Sequence, residues 1–188
     1  VSQIRKYPRL HPEADFEFTL GSNRSLMNDL SAGRLDMAVL SGFGMELGKG
    51  LDSRVSLSDP CMVMISASHP LAGKKVINPR DLKGMPIVLN RAQDTQPSAG
   101  QIAGMYANMG LSENKRMYAD DFYSIALIIN TGIAFSIMPA SLVHWGIEGV
   151  VFRPILGFKA NARTLLVYPR DSQAPGIQSF VSLIKPKR

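Results

Sequence analysis

The sequence predicts an α/β fold of two lobes, each a sheet wound with helices. Three observations predict it. Short apolar strands alternate with amphipathic helices along the whole chain. Most of those strands are continuous apolar runs, as in parallel sheets covered on both faces. A second strand–helix–strand series opens near residue 86 with the rhythm of the first.

Composition narrows the class. Of 188 residues 45% are apolar and 19% charged, which suits a globular chain and excludes a disordered or fibrous one. No apolar run approaches the ~20 residues needed to cross a bilayer. The single cysteine, Cys61, excludes an internal disulfide and a site of several thiolates, pointing to a reducing compartment. The net charge of +6 is spread out, with clusters only at Arg5, Lys6 and Arg9 and at Lys185, Lys187 and Arg188. It reads as a solvated surface, and it suits anionic ligands.

Val1, Ile4 and Tyr7 share a helical face, without an initiator methionine or the features of a signal peptide. The chain is therefore expected to be a fragment of a longer protein. Phe16, Phe18 and Leu20 alternate with polar residues and predict a strand ending at Gly21. Ser22 or Asn23 caps a helix to about Gly33, with Leu26, Met27 and Leu30 inward. Met37 to Leu40 follows as a short, fully buried strand, expected to be parallel to its neighbour.

Beyond the glycine-rich loop Gly42 to Gly50, Cys61 to Ile65 is an apolar strand closed by the turn Ser66 to Pro70. Asn78 and Pro79 open a short helix, and Pro86 to Leu89 is the next strand. Asn90 to Ser98 is a polar loop before a helix near Ala99 to Met109, ended by Gly110. A strand at Arg116 to Ala119 leads into a helix from Asp121 that carries Ile125, Ile128 and Ile129. Ile133 to Met138 is a strand, and Pro139 starts a short helix. Strands near Val150 to Phe152 and Thr164 to Tyr168 precede a last helix with Ile177, Phe180, Val181 and Ile184 inward. Residues 1–66 and 170–188 are expected to form the first lobe, including the last helix, and residues 67–169 the second.

Motifs for chemistry are weak. The run Gly42 to Gly48 follows a strand, yet it lacks the helix that a dinucleotide fingerprint needs at its mouth, and a P-loop fails on Phe43 and Gly50. His11, His69 and His144 have no metal-ligand spacing, so neither metal nor cofactor is expected. Asp121, beside Asp120, is read as a helix cap, His69 as a turn residue and Cys61 as an inert core thiol. No nucleophile is paired with a base, and an enzyme is not supported.

What remains is a binding architecture. In open α/β sheets ligands settle at the carboxyl ends of strands, where helix N-termini present N–H groups. Those places are Gly21-Ser22-Asn23, Leu40-Ser41-Gly42, Asn90 to Ser98 and Ala119 to Phe122, all rich in small polar residues. Facing lobes would gather them around a cleft suited to a small organic anion. Taken singly, the same residues also read as caps and turns.

Three stretches resemble the effector-sensing domain of LysR-type transcriptional regulators. Ala32-Gly33-Arg34-Leu35-Asp36-Met37-Ala38-Val39 is similar to the family's A-G-x-L-D-x-A segment. Ser68-His69-Pro70-Leu71-Ala72 with Asp81-Leu82-Lys83-Gly84 resembles its H-P-L-A and D-L-x-G pair. Gly132 to Pro139 resembles G-x-G-I-A-x-x-P, with Ala134 replacing the second glycine.

The resemblance implies a fold like that of type 2 periplasmic binding proteins, with two Rossmann-like lobes joined by crossing hinge strands. It implies a cytoplasmic homodimer, tetrameric at full length, whose lobes close on a small effector. DNA would be bound only through an N-terminal domain absent from this chain. By position Ser22 matches the family's effector-contacting hydroxyl, and Gln96 and Ser98 match its second-lobe binding loop. Asn23, Ser41, Asn90 and Phe122 are expected at the site from their placement at strand ends and helix starts. The alternative is a periplasmic solute-binding protein of a transporter, which shares the fold.

Overall fold

The structure is a computed structural model describing residues 2–42, 46–91, 99–172 and 174–184. It has helices α1 (Ser2–Leu10), α2 (Asn23–Ser31), α3 (Ala99–Asn108), α4 (Phe122–Asn130) and α5 (Pro175–Leu183). The strands are β1 (Ala38–Gly42), β2 (Leu51–Ser66), β3 (Ile87–Asn90), β4 (Arg116–Ala119), β5 (Ser136–Pro139), β6 (Val150–Arg153) and β7 (Asn161–Pro169). Contacts divide the chain into two compact units. One comprises Val1–Gly42, Glu46–Ser58 and Arg163–Arg188, and the other is built on Asp59–Ala162. Both divisions fall inside long strands, β2 and β7, not at the loops near residues 66 and 169.

In the second unit the strands alternate their side chains between two cores. Cys61, Val63 and Ile65 of β2, Ile87 and Leu89 of β3 and Ile137 of β5 lie in one core with Tyr106 of α3. Met64, Val88 and Met138 lie in the other with Ile125, Ala126 and Ile129 of α4. Burial on both faces is why these strands read as unbroken apolar runs. The strands pair as a parallel β3–β4 ladder, with β2 antiparallel to β5 and β6. The Nδ2 of Asn114 donates to the carbonyls of Leu82 and Met85 at 2.7 and 2.8 Å, tying down the turn before β3.

The first unit packs α1 and α5 over β7. Tyr7, Leu166, Tyr168, Ile177, Phe180 and Val181 form its core, and the Tyr7 hydroxyl donates to the Gly176 carbonyl at 2.9 Å. The sequence expectations need three corrections here. β1 is antiparallel to β7, with Ala38 opposite Val167 and Gly42 opposite Arg163. It is also not fully buried, because Val39 faces outward at 57% exposure between buried Ala38 and Leu40. The strand expected at Phe16 to Leu20 is absent. Its alternating rings stack instead: Phe16 lies 6.0 Å from Phe18 and edge-on to Tyr7 and Phe180, while Leu20 is left in solvent.

Candidate functional site

Ser22 ends the coil before α2 in extended conformation, and its Oγ accepts the Ser25 N–H at 3.1 Å. The Ser25 hydroxyl returns a bond to the Ser22 carbonyl at 3.0 Å. Gly21 permits this tight entry, since a Cβ there would lie 2.6 Å from Ser25 Oγ. One residue on, the Asn23 Nδ2 donates to the Ser41 carbonyl at 2.9 Å. Ser22, Asn23 and Ser41, named from the sequence, thus form one polar set where α2 starts and β1 ends.

The second unit carries a comparable set where β3 and β4 end and α4 starts. The Asn90 Nδ2 donates to the Asp120 carbonyl at 3.2 Å. Asp121 caps α4, its Oδ1 accepting the Ser124 N–H at 2.8 Å and its Oδ2 the Ser124 hydroxyl at 3.0 Å. Those bonds, the backbone one foremost, hold its carboxyl below the usual range. Half-buried Phe122 begins the helix and meets Trp145 edge-to-face, with centroids 5.6 Å apart. Gln96 and Ser98 lie outside the described residues, as do Phe43–Met45 of the glycine-rich loop and the cationic cluster Lys185–Arg188.

Sequence reasoning missed Arg91. Its Nε donates to Asp120 Oδ1 at 2.9 Å, and its guanidinium lies 5.8 Å from the Tyr118 ring centroid. It places a cation with further N–H donors beside Asn90. The available signal was its position directly after an apolar strand, at a carboxyl end.

One arrangement imitates a hydrolase. Ser179 Oγ and His11 Nε2 are 2.7 Å apart, and His11 Nδ1 lies 3.1 Å from Glu13 Oε1. Ser179, however, sits inside α5, where backbone N–H groups close the helix ladder and none is offered to an oxyanion. The contact fastens the end of α1 to α5. Among the described residues no group of three His, Cys, Asp or Glu side chains is placed to hold a metal ion. No described helix is long and apolar enough to cross a membrane.

The two polar sets present hydroxyls, amides and a guanidinium at helix starts and strand ends. The family described as the LysR substrate binding domain matches residues 2–187. The chain belongs to that family. Among curated relatives of this LysR substrate binding domain, the HTH-type transcriptional regulator AlsR of Bacillus subtilis (strain 168) is 22% identical over 181 residues. That match takes in 96% of this chain and 59% of AlsR, so the domain spans less than two thirds of that relative.

Solved structures agree on the fold. The BenM effector binding domain with its effector benzoate superimposes with a TM-score of 0.81 at 19% identity, over 97% of this chain and 82% of that one. The effector binding domain of QuiR in complex with shikimate gives 0.79 at 20% identity, over 97% and 87%. The LysR substrate binding domain described here thus has the α/β fold of the effector binding domains.

Proposed function

We propose that this chain is the effector-sensing domain of a LysR-type DNA-binding transcriptional regulator, and that its effector is a small organic anion. The observation that carries this reading is the family match across residues 2–187. AlsR, a transcriptional regulator, supports it, as do the benzoate and shikimate bound by structural neighbours. The local chemistry agrees. Ser22, Asn23 and Ser41 on one unit and Asn90, Arg91 and Phe122 on the other supply hydroxyl, amide and guanidinium donors with an aromatic edge. Gln96 and Ser98 are assigned to the same role by their position in the sequence.

The proposed role is binding and requires no catalysis. An effector that interacts more strongly with one conformation of the domain shifts the population toward it by the difference in affinity. In a homodimer, or a tetramer at full length, that shift repositions the DNA-binding heads, which lie in a domain outside these residues. Such a regulator works in the cytoplasm.

The test is a thermal-shift screen of small carboxylates, with benzoate and shikimate among them, because a ligand bound only by the native state raises the melting temperature. At least one acid is expected to stabilise the domain, and Ser22→Ala to weaken its calorimetric affinity while the fold persists. Removing the cap costs about 1 kcal/mol of stability. An affinity unmoved by Ser22→Ala and by Asn90→Ala, each measured on folded protein, removes these residues from the site.

A further inference from the structure

The second unit contains a groove that no residue of the proposed effector site touches. Its volume is about 480 Å³, within the roughly 300–1,000 Å³ typical of small-molecule pockets. Its apolar lining includes Met105 of α3, Met109 just beyond that helix, and Leu156 and Phe158 of the β6–β7 loop; Arg80 and Lys159 supply its positive charge.

Local structure builds this groove. Tyr106, buried in the core beneath, anchors α3, and Met105 on that helix and Met109 in the turn that follows it, whose N–H donates to the Tyr106 carbonyl at 3.2 Å, both line the groove. The bridge between Ile77 and Ile155, with Ile77 N–H donating to Pro154 O and Leu156 N–H to Ile77 O, both at 2.9 Å, brings the Asn78–Arg80 turn beside the β6–β7 loop. That loop turns at Gly157, whose φ of +72° favours glycine.

Charge decides what fits. The carboxylate nearest to Arg80 in sequence, Asp81, is already engaged. It accepts from Lys74 Nζ at 2.7 Å and from the Asn78 N–H at 3.3 Å. Among the described residues neither Arg80 nor Lys159 forms an ion pair. Two uncompensated cations therefore share a concave surface with an apolar lining, on which Leu156 remains 59% exposed. Exposed apolar surface inside a concave site marks a place for a ligand.

We infer that this groove is a second, separate ligand site, for a monocarboxylic acid with a hydrocarbon body. The carboxylate takes the guanidinium of Arg80 and the ammonium of Lys159 in charge-assisted hydrogen bonds. The hydrocarbon lies on Met105, Met109 and Phe158, where thioether side chains adapt to its shape.

The probe is octanoate, with octanamide as its uncharged counterpart. Chemical-shift mapping on the whole chain is expected to place octanoate at the amides of Met105, Asn108, Met109 and Gly157, with those of Ser22, Ser41 and Phe122 unmoved. Octanamide binds about tenfold more weakly, and so does octanoate to Arg80→Gln/Lys159→Gln. Leu156→Glu, a change at an exposed position, sets a negative charge at the groove and weakens octanoate by a similar factor while leaving the melting temperature in place. The inference is overturned by no saturable binding up to about 10 mM octanoate. It is also overturned by equal affinity for the amide, by folded variants that bind as tightly as the parent, or by shifts confined to the Ser22 and Phe122 sets. The last outcome would overturn the groove while supporting the effector site; the others leave the effector site untouched, since it shares no residue with the groove.

Discussion

Asn23 and Ser41, eighteen residues apart, are joined by a 2.9 Å hydrogen bond from the Asn23 side-chain amide to the Ser41 carbonyl. The bond fixes the start of α2 against the end of β1 and holds a hydroxyl and an amide on one surface. Asn23→Asp removes the amide donor and turns a carboxylate toward that carbonyl oxygen. Affinity for an anionic effector is expected to fall by at least about tenfold. Calorimetry with the acid selected by thermal shift measures it, and an undiminished affinity excludes Asn23 from contact.

Asp121 makes the domain sensitive to acid. Its carboxyl is depressed from the ordinary 3.8, chiefly by the Ser124 N–H and then by the Ser124 hydroxyl. The linked stability is complete above the unfolded-state value and disappears as pH falls through the lower folded-state value. Asparagine also caps helices well, so Asp121→Asn should resemble the parent near neutrality. Its melting temperature should decline less steeply below about pH 4. Parallel slopes in acid melting curves refute the assignment.

Asn114 is 6% exposed and serves two carbonyls with one amide. Asn114→Ala takes its bond from the Met85 carbonyl and leaves the Leu82 carbonyl with the Met85 N–H alone, at a cost on the order of 1–3 kcal/mol. Urea unfolding should show a lower midpoint with the same slope. A midpoint matching the parent contradicts the role assigned to this side chain.

Cys61 is buried, and desolvation is the main reason its thiol is pushed up to about 11. The folded state holds the proton more tightly than the unfolded one. The linked stability is therefore full below the ordinary thiol range and is lost as pH rises toward 11. A thiol-reactive dye at pH 8 should label Cys61 only as fast as the chain opens, and at once in urea. Rapid labelling of the native domain defeats this expectation.

Local signals made most helices legible. Ser22, Asp121 and the Asn78–Asp81 capping box announce helix starts because a cap needs only neighbours two or three residues away. Pairing direction was not legible. Nothing within Ala38–Gly42 reveals that its partner is Asn161–Pro169, far along the chain, nor that Val39 faces outward. The alternation at Phe16 and Phe18 has the period of a strand, and ring stacking satisfies it without a ladder. The first half of β2, with Asp52, Ser53, Arg54 and Ser56, lacks the apolar run that betrays Cys61 to Ile65. At the candidate site, Ser22, Asn23 and Ser41 were legible from the order of strand end and helix start. Arg91 was not, because its interest lies in reaching Asp120 and Tyr118 on a separate strand end.

The split membership of the first unit orders events during synthesis. Tyr7 meets Gly176 and Phe180, so the hydrophobic centre of that unit cannot close until residues through Phe180 have left the ribosome. The second unit, drawn chiefly from Asp59–Ala162, is free to condense earlier, its contacts being nearer in sequence. Tyr7 and Phe16 must meanwhile wait without the Phe180 ring that later packs against them, which leaves this stretch open to a chaperone.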